Sequence, residues 1–186
     1  MFEIYLSSYS KKIYRKRAKI TSIVGIFIII AISSFLHFGF DFFGRSMPTA
    51  VIFAVNESVW EHLKIGFFGG LIFYVIEFII YGKKFDNFIV GKSVALLLIP
   101  FLTAVFFYTY TAFLEDNLVL DILSLALSVM IAQFVSLGIT LSNRKIKKGP
   151  FVILLIIMLI LFPLFTYFPP KIPELFYDFD HKRYGI

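Results

Sequence analysis

Apolar runs of bilayer-crossing length recur along this chain, and they leave it few folds to choose from. A hydrocarbon core takes about 20 apolar residues of helix. A helix suits it because all its backbone hydrogen bonds are internal. The first run, Ile20 to Phe40, follows the basic segment Lys11-Lys12-Ile13-Tyr14-Arg15-Lys16-Arg17. It exceeds a signal-peptide core of roughly 7–15 residues, and no small-x-small cleavage site follows, so it reads as a retained span. The second run, Gly66 to Tyr81, is short alone. Asn56 as N-cap, Glu57 and Glu61 at the positive end of the dipole, and Val55 with Trp60 as a hydrophobic staple predict one helix from Glu57 to about Tyr81. The third span is Ile89 to Leu114 with Pro100 inside. The fourth is Leu118 to Leu141, and the fifth is Pro150 to Phe168 with Pro163 near its end.

The expected fold is therefore all-α, a polytopic membrane helix bundle of five transmembrane helices. Composition agrees: 59% of residues are apolar and 16% charged, where a soluble domain has nearer half and a quarter. Residues 1–19 read as a basic cytoplasmic or interfacial segment, 20–168 as the transmembrane domain and 169–186 as an extracytoplasmic tail. There is no cysteine, which excludes disulfide scaffolds, thiolate metal sites and cysteine nucleophiles. The net charge of +6 sits in islands beside the spans, so it points to a bilayer with an anionic inner leaflet rather than to nucleic acid. No Gly-rich phosphate loop suggests a nucleotide.

With the N-terminus inside, the basic segments at 11–19, 83–92 and 144–148 all fall on the cytoplasmic side, as the positive-inside rule expects. The topology is then N-in and C-out. It places every histidine (His37, His62 and His181) and most acids at the outer side, a grouping the rule itself does not require. His37 and Asp41 are i, i+4 at the outer end of the first helix. Glu57 and Glu61 are i, i+4 at the start of the second, with His62 one position round. Imidazole with carboxylate is a ligand set for a divalent metal such as zinc. The same groups can act as general acid and base.

The candidate catalytic set is His37, Asp41, Glu57, Glu61 and His62, with Glu61 orienting a neighbour. The candidate metal set is His37, Asp41, Glu57 and His62. Against this stands the plainer reading of Glu57 and Glu61 as helix-end charges, with Glu61 pairing Lys64 at i, i+3. The proline-stiffened tail from Phe168 is expected to lie extended over the outer face as a lid, delivering Asp178, Asp180 or His181. Within the spans, Ser124, Ser128, Gln133, Ser136 and Thr140 form a polar stripe on the fourth helix, and Gly66, Gly69 and Gly70 a small face on the second. Glu77 is expected to snorkel inward or pair with Lys83 or Lys84.

The segments Ser33-Ser34-Phe35-Leu36-His37-Phe38-Gly39-Phe40-Asp41 and Val55-Asn56-Glu57-Ser58-Val59-Trp60-Glu61-His62-Leu63-Lys64, with the terminal Tyr184-Gly185-Ile186, resemble an uncharacterised family of small bacterial multi-pass membrane proteins. The resemblance implies a bacterial cell membrane location and supplies no activity. It also implies that the outer cluster and the tail belong together. Similarity to ceramidase-type membrane hydrolases is looser, since the polar spacing differs, and stands as analogy. Two functions compete. One is binding of a ligand or membrane protein partner by the outer His/carboxylate site, in transport or as an accessory subunit. The other is a membrane-embedded, metal-dependent hydrolase or transferase acting on a lipid-like substrate.

Overall fold

The computed structural model describes residues 2–186, with side chains from Lys12 onward. Helix α1 spans Phe2–Phe42, α2 Val59–Ile80, α3 Phe88–Thr111, α4 Leu118–Leu141 and α5 Gly149–Tyr167. All five are long and apolar enough to cross a membrane. Helix α1 runs unbroken through the basic residues, so it begins well before the apolar run does. At its other end Gly44 and Arg45 take positive φ, and the Arg45 amide bonds back to the Phe40 carbonyl, turning the chain at once. A 3-10 turn, Met47–Val51, then leads to α2.

Helix α2 is the hub. Gly69 faces α1, where an added Cβ would press on the Ile29 carbonyl and Ser33 amide. Gly66 and Gly70 face Ile99 of α3. The small face on this helix thus admits two neighbours at close range, as dispersion-driven packing in lipid requires. The main core runs through Ile29, Phe67, Ile99, Val129 and Phe162, all fully buried, and so links all five helices. A smaller cluster of Ala18, Tyr81 and Phe88 closes the opposite end of the bundle.

Two charge pairs lie inside the bundle. Lys64 Nζ is 2.5 Å from Glu61 Oε2 and donates to the Ala50 carbonyl at 2.8 Å and Thr166 Oγ1 at 2.9 Å. The i, i+3 pairing expected for Glu61 is present, but both groups are buried rather than on a surface. Glu77 pairs with Lys92 of α3 at 2.5 Å, not with Lys83 or Lys84. Those two lysines instead lie over the Phe78 and Tyr14 rings. Tyr81 donates to Glu77 from the other side, and the Lys92 ammonium sits 4.4 Å from the Tyr74 ring centroid. A buried carboxylate on a membrane helix takes the nearest fixed cation across the helix interface and is thereby held in the protein.

The tail is not extended throughout. It forms a single turn, α6 (Pro173–Phe176), and then an antiparallel pair, β1 (Tyr177–Asp178) with β2 (Arg183–Tyr184). Trp60 sits among Phe162, Phe165 and Phe176, with ring centroids 4.8–5.4 Å apart, and its Nε1 donates to the Phe162 carbonyl. This aromatic cluster clamps α2, α5 and α6 together, whereas the sequence had suggested Trp60 as a staple partner of Val55.

Candidate metal centre

The segment before α2 is where the structure departs most from the expected helix start. Ser58, not Asn56, is the N-cap. Asn56 makes a tight turn by accepting the Ser58 amide on Oδ1 at 2.9 Å, a common use of asparagine outside helices. Its Nδ2 donates to the Gly185 carbonyl at 2.8 Å. Gly185 has φ +63, and a Cβ there would lie 3.0 Å from the Thr166 carbonyl, so the position suits only glycine. Arg183 donates to the Val55 carbonyl at 3.0 Å. Asp178 Oδ2 accepts the Glu57 amide at 3.1 Å. The tail therefore pins residues 55–57 in a non-helical path.

This path decides where the carboxylates go. Because Glu57 lies outside α2, it and Glu61 do not share a face. Glu61 points inward, accepting from Val55 N at 3.1 Å and Thr166 Oγ1 at 2.6 Å, and takes no part in the site. Glu57 turns toward α1. Its Oε2 lies 3.2 Å from His37 Nε2 and 3.6 Å from His62 Nε2, and the two imidazole nitrogens are 3.2 Å apart. His37, Glu57 and His62 are brought together; Asp41 is not. The Asp41 carboxylate pairs with Arg45 Nε at 2.6 Å and is largely exposed. Helical spacing put it on the His37 face, but it lies one turn further out, where its own turn offers a cation.

Of the tail residues, Asp178 is fully buried and holds Glu57 by its backbone, while His181 Nδ1 bonds Asp178 Oδ2 at 2.9 Å. Asp180 is exposed and contributes only its amide, which Asp178 Oδ1 accepts. None of the three tail groups joins the His37–Glu57–His62 cluster. Their part is to position it.

Three donor atoms separated by 3.2, 3.2 and 3.6 Å match a tetrahedral zinc ion, whose bonds of about 2.0 Å set its ligands roughly 3.3 Å apart. The tautomer of His62 fits as well. Its Nδ1 lies 3.0 Å from the Ser58 carbonyl, which can only accept. Nδ1 therefore carries a proton, which in a metal-bound ring leaves the Nε2 lone pair for the cluster. His37 Nδ1 is buried without a partner. The hydrogen bond from the His37 ring outweighs burial and holds the Glu57 carboxyl below its ordinary 4.5; a cation at the cluster would take the place of that ring proton. Burial pushes Asp178 up, but hydrogen bonds from the His181 and Glu57 amides and the His181 ring outweigh it, leaving the group below its usual range. Both acids are thus anionic at neutral pH.

The cluster sits at the edge of a cavity of about 220 Å³ bounded by α1, α2, α3 and α4. Most of its wall is apolar, but Asp116 and Asp121 also line it. Tyr110 Oη contacts both, at 2.9 Å from Asp116 and closer to Asp121. Both acids belong to the outer side in the expected topology, but neither is part of the site expected from the sequence. A signal existed, because Asp121, Ser124 and Ser128 fall at i, i+3 and i+7 on one helix face, making Asp121 the end of the α4 polar stripe. Ser124 lines the cavity as well, Ser128 bonds back to the Ser124 carbonyl, and Gln133 Oε1 is 3.5 Å from Lys92.

Five helices long and apolar enough to cross a membrane place the chain, by length and composition, in the class of multi-pass helical bundles. Within that class, the chain belongs to a family of unknown function, DUF6512, whose model matches residues 9–186. No curated protein and no solved structure matches it.

Proposed function

We propose that this protein is a multi-pass membrane metalloprotein, N-in and C-out, that binds a zinc-type divalent cation through His37 Nε2, Glu57 and His62 Nε2 on the extracytoplasmic side. The observation carrying this reading is the donor spacing, combined with a His62 tautomer already set for a ligand. Two neutral imidazoles and one carboxylate make the three-ligand set of catalytic zinc sites, which keep a further position open. His37, Glu57 and His62 all line the cavity, so a ligand lying among α1 to α4 would be within reach of a cation held there. The tail, tied to Asn56 and Glu57, covers the outer face and fixes the loop. Metal analysis of the purified chain tests this. One zinc per chain is expected for the wild type, with loss in His62→Ala and Glu57→Gln and retention in Asp41→Asn. A metal-free wild type that gains no thermal stability on zinc titration would sink it.

A second reading, hydrolysis, rests on Tyr110 and its two acceptors. One hydroxyl proton cannot serve both Asp116 and Asp121, so the acid pair is a natural place to hold one more proton. Zinc bound at such a site lowers the pKa of its water to about 7. The chain would supply the proton for a leaving group from Asp121, across the cavity from His62. A turnover assay on acyl esters and amides tests it: Asp121→Asn should abolish turnover while zinc content stays at the wild-type level.

A further inference from the structure

The cavity wall is not closed on all sides by protein. On α1, Ser34 and Phe38 line it, and on α4 Leu118 and Ile122 do. These same residues are open to the surroundings: Phe38 is 68% exposed, Leu118 72% and Ile122 49%. Toward the other end of the bundle the two helices close up, with Gly25 of α1 directly against Gln133 of α4 and Arg15 reaching the Leu141 carbonyl. Helices α1 and α4 are therefore packed together at one end and flank a cavity at the other. In a spanning bundle, what lies outside exposed Phe, Leu and Ile side chains is lipid.

The interior continues that surface. Ile65, Phe107 and Leu125 line the cavity with few polar atoms beside them. Apart from Glu57, which the metal-centre reading gives to the cation, Asp116 and Asp121 are the acids lining the cavity among the described residues, and no described Lys or Arg lines it. Phosphate-bearing heads are normally met by Arg or Lys. This rim offers them carboxylates.

We infer that the cavity takes the acyl chain of a lipid with an uncharged head, which enters sideways from the bilayer between α1 and α4 and brings its head to the His37–Glu57–His62 cluster. Placement of the head rests on the metal-centre reading; entry of the chain rests on the window alone.

The test uses the full-length protein in nanodiscs containing either of two probes with the same diazirine-bearing acyl chain, a monoacylglycerol or a phosphatidylglycerol. Zinc content is measured on the same samples. The glycerol-headed probe should label Thr103, Phe107 or Leu125, and the anionic probe much less. Ser34→Trp, which narrows the window from α1, should strongly lower this interior labelling by filling the space the chain passes through. Ile122→Trp narrows it from α4 and serves if the first variant does not fold. Labelling confined to outward residues such as Ile79 and Ile153, or interior labelling untouched by either tryptophan, would overturn the inference, as would equal labelling by the two heads. Interior labelling without bound zinc supports the sideways entry and removes the metal reading. Bound zinc without interior labelling does the opposite.

Discussion

At the scale of single residues, the site depends on a few hydrogen bonds that choose between alternatives. Ser58 is an N-cap whose carbonyl, rather than its hydroxyl, matters to His62. Glu57 is a ligand candidate because its amide belongs to Asp178 and its carboxylate to His37. Both carboxyls have folded values below their unfolded ones. Their stabilisation is therefore fully present above the ordinary carboxylate range and lost as pH falls through the depressed folded values. Thermal unfolding measured against pH should show an acid-side decline in the wild type, and Glu57→Gln or Asp178→Asn should each flatten part of it. A variant with the wild-type acid limb would show that its carboxylate is not held as described. Asp41 teaches the opposite lesson, since correct helical phase did not make it a neighbour of His37 once Arg45 lay within its reach.

Between elements, close approach and buried charge dominate. Gly69 has backbone of α1 where a Cβ would go, while Gly138 of α4 has open space. Gly69→Ala should therefore cost about 1–3 kcal/mol through overpacking. Gly138→Ala should be neutral or gain up to about 1 kcal/mol from helix propensity. Equal effects in detergent unfolding would contradict the α1–α2 contact. The Glu77–Lys92 pair makes a sharper case. Lys92→Met leaves Glu77 as an unpaired buried charge and should destabilise by about 3–5 kcal/mol. The double variant Glu77→Gln, Lys92→Met removes both charges and should recover most of that loss. Failure to recover would mean that the surrounding hydroxyls, several of them buried without partners, depend on the ions themselves.

Considered as a whole, the molecule is a bundle whose sidedness decides what the site can meet. The absence of cysteine makes topology directly measurable with single introduced cysteines. An impermeant thiol reagent applied to intact cells should label Ser46→Cys and Lys171→Cys. It should reach Lys83→Cys and Lys147→Cys only after permeabilisation. The reverse pattern would put the His/Glu cluster on the cytoplasmic side and void the extracytoplasmic reading.

The number of apolar helices, their all-helical character and the i, i+3 pairing of Glu61 with Lys64 (though not its burial) were legible in the amino-acid order, because run length, hydropathy and i, i+3 placement are local properties. His37, Glu57 and His62 were also identifiable as polar groups near helix ends. What required tertiary structure was the choice among neighbours. The start of α2 moved from Glu57 to Val59 because bonds from residues 178–185 hold the preceding turn, and no local propensity encodes a partner more than a hundred residues away. The same holds for Lys92 as the partner of Glu77, and for the two acids that α4 and its approach bring to the cavity wall. Hydrophobicity acts on each segment independently, so order alone fixes it. Coordination depends on side chains from separate segments meeting within a few ångströms, and only packing sets that distance.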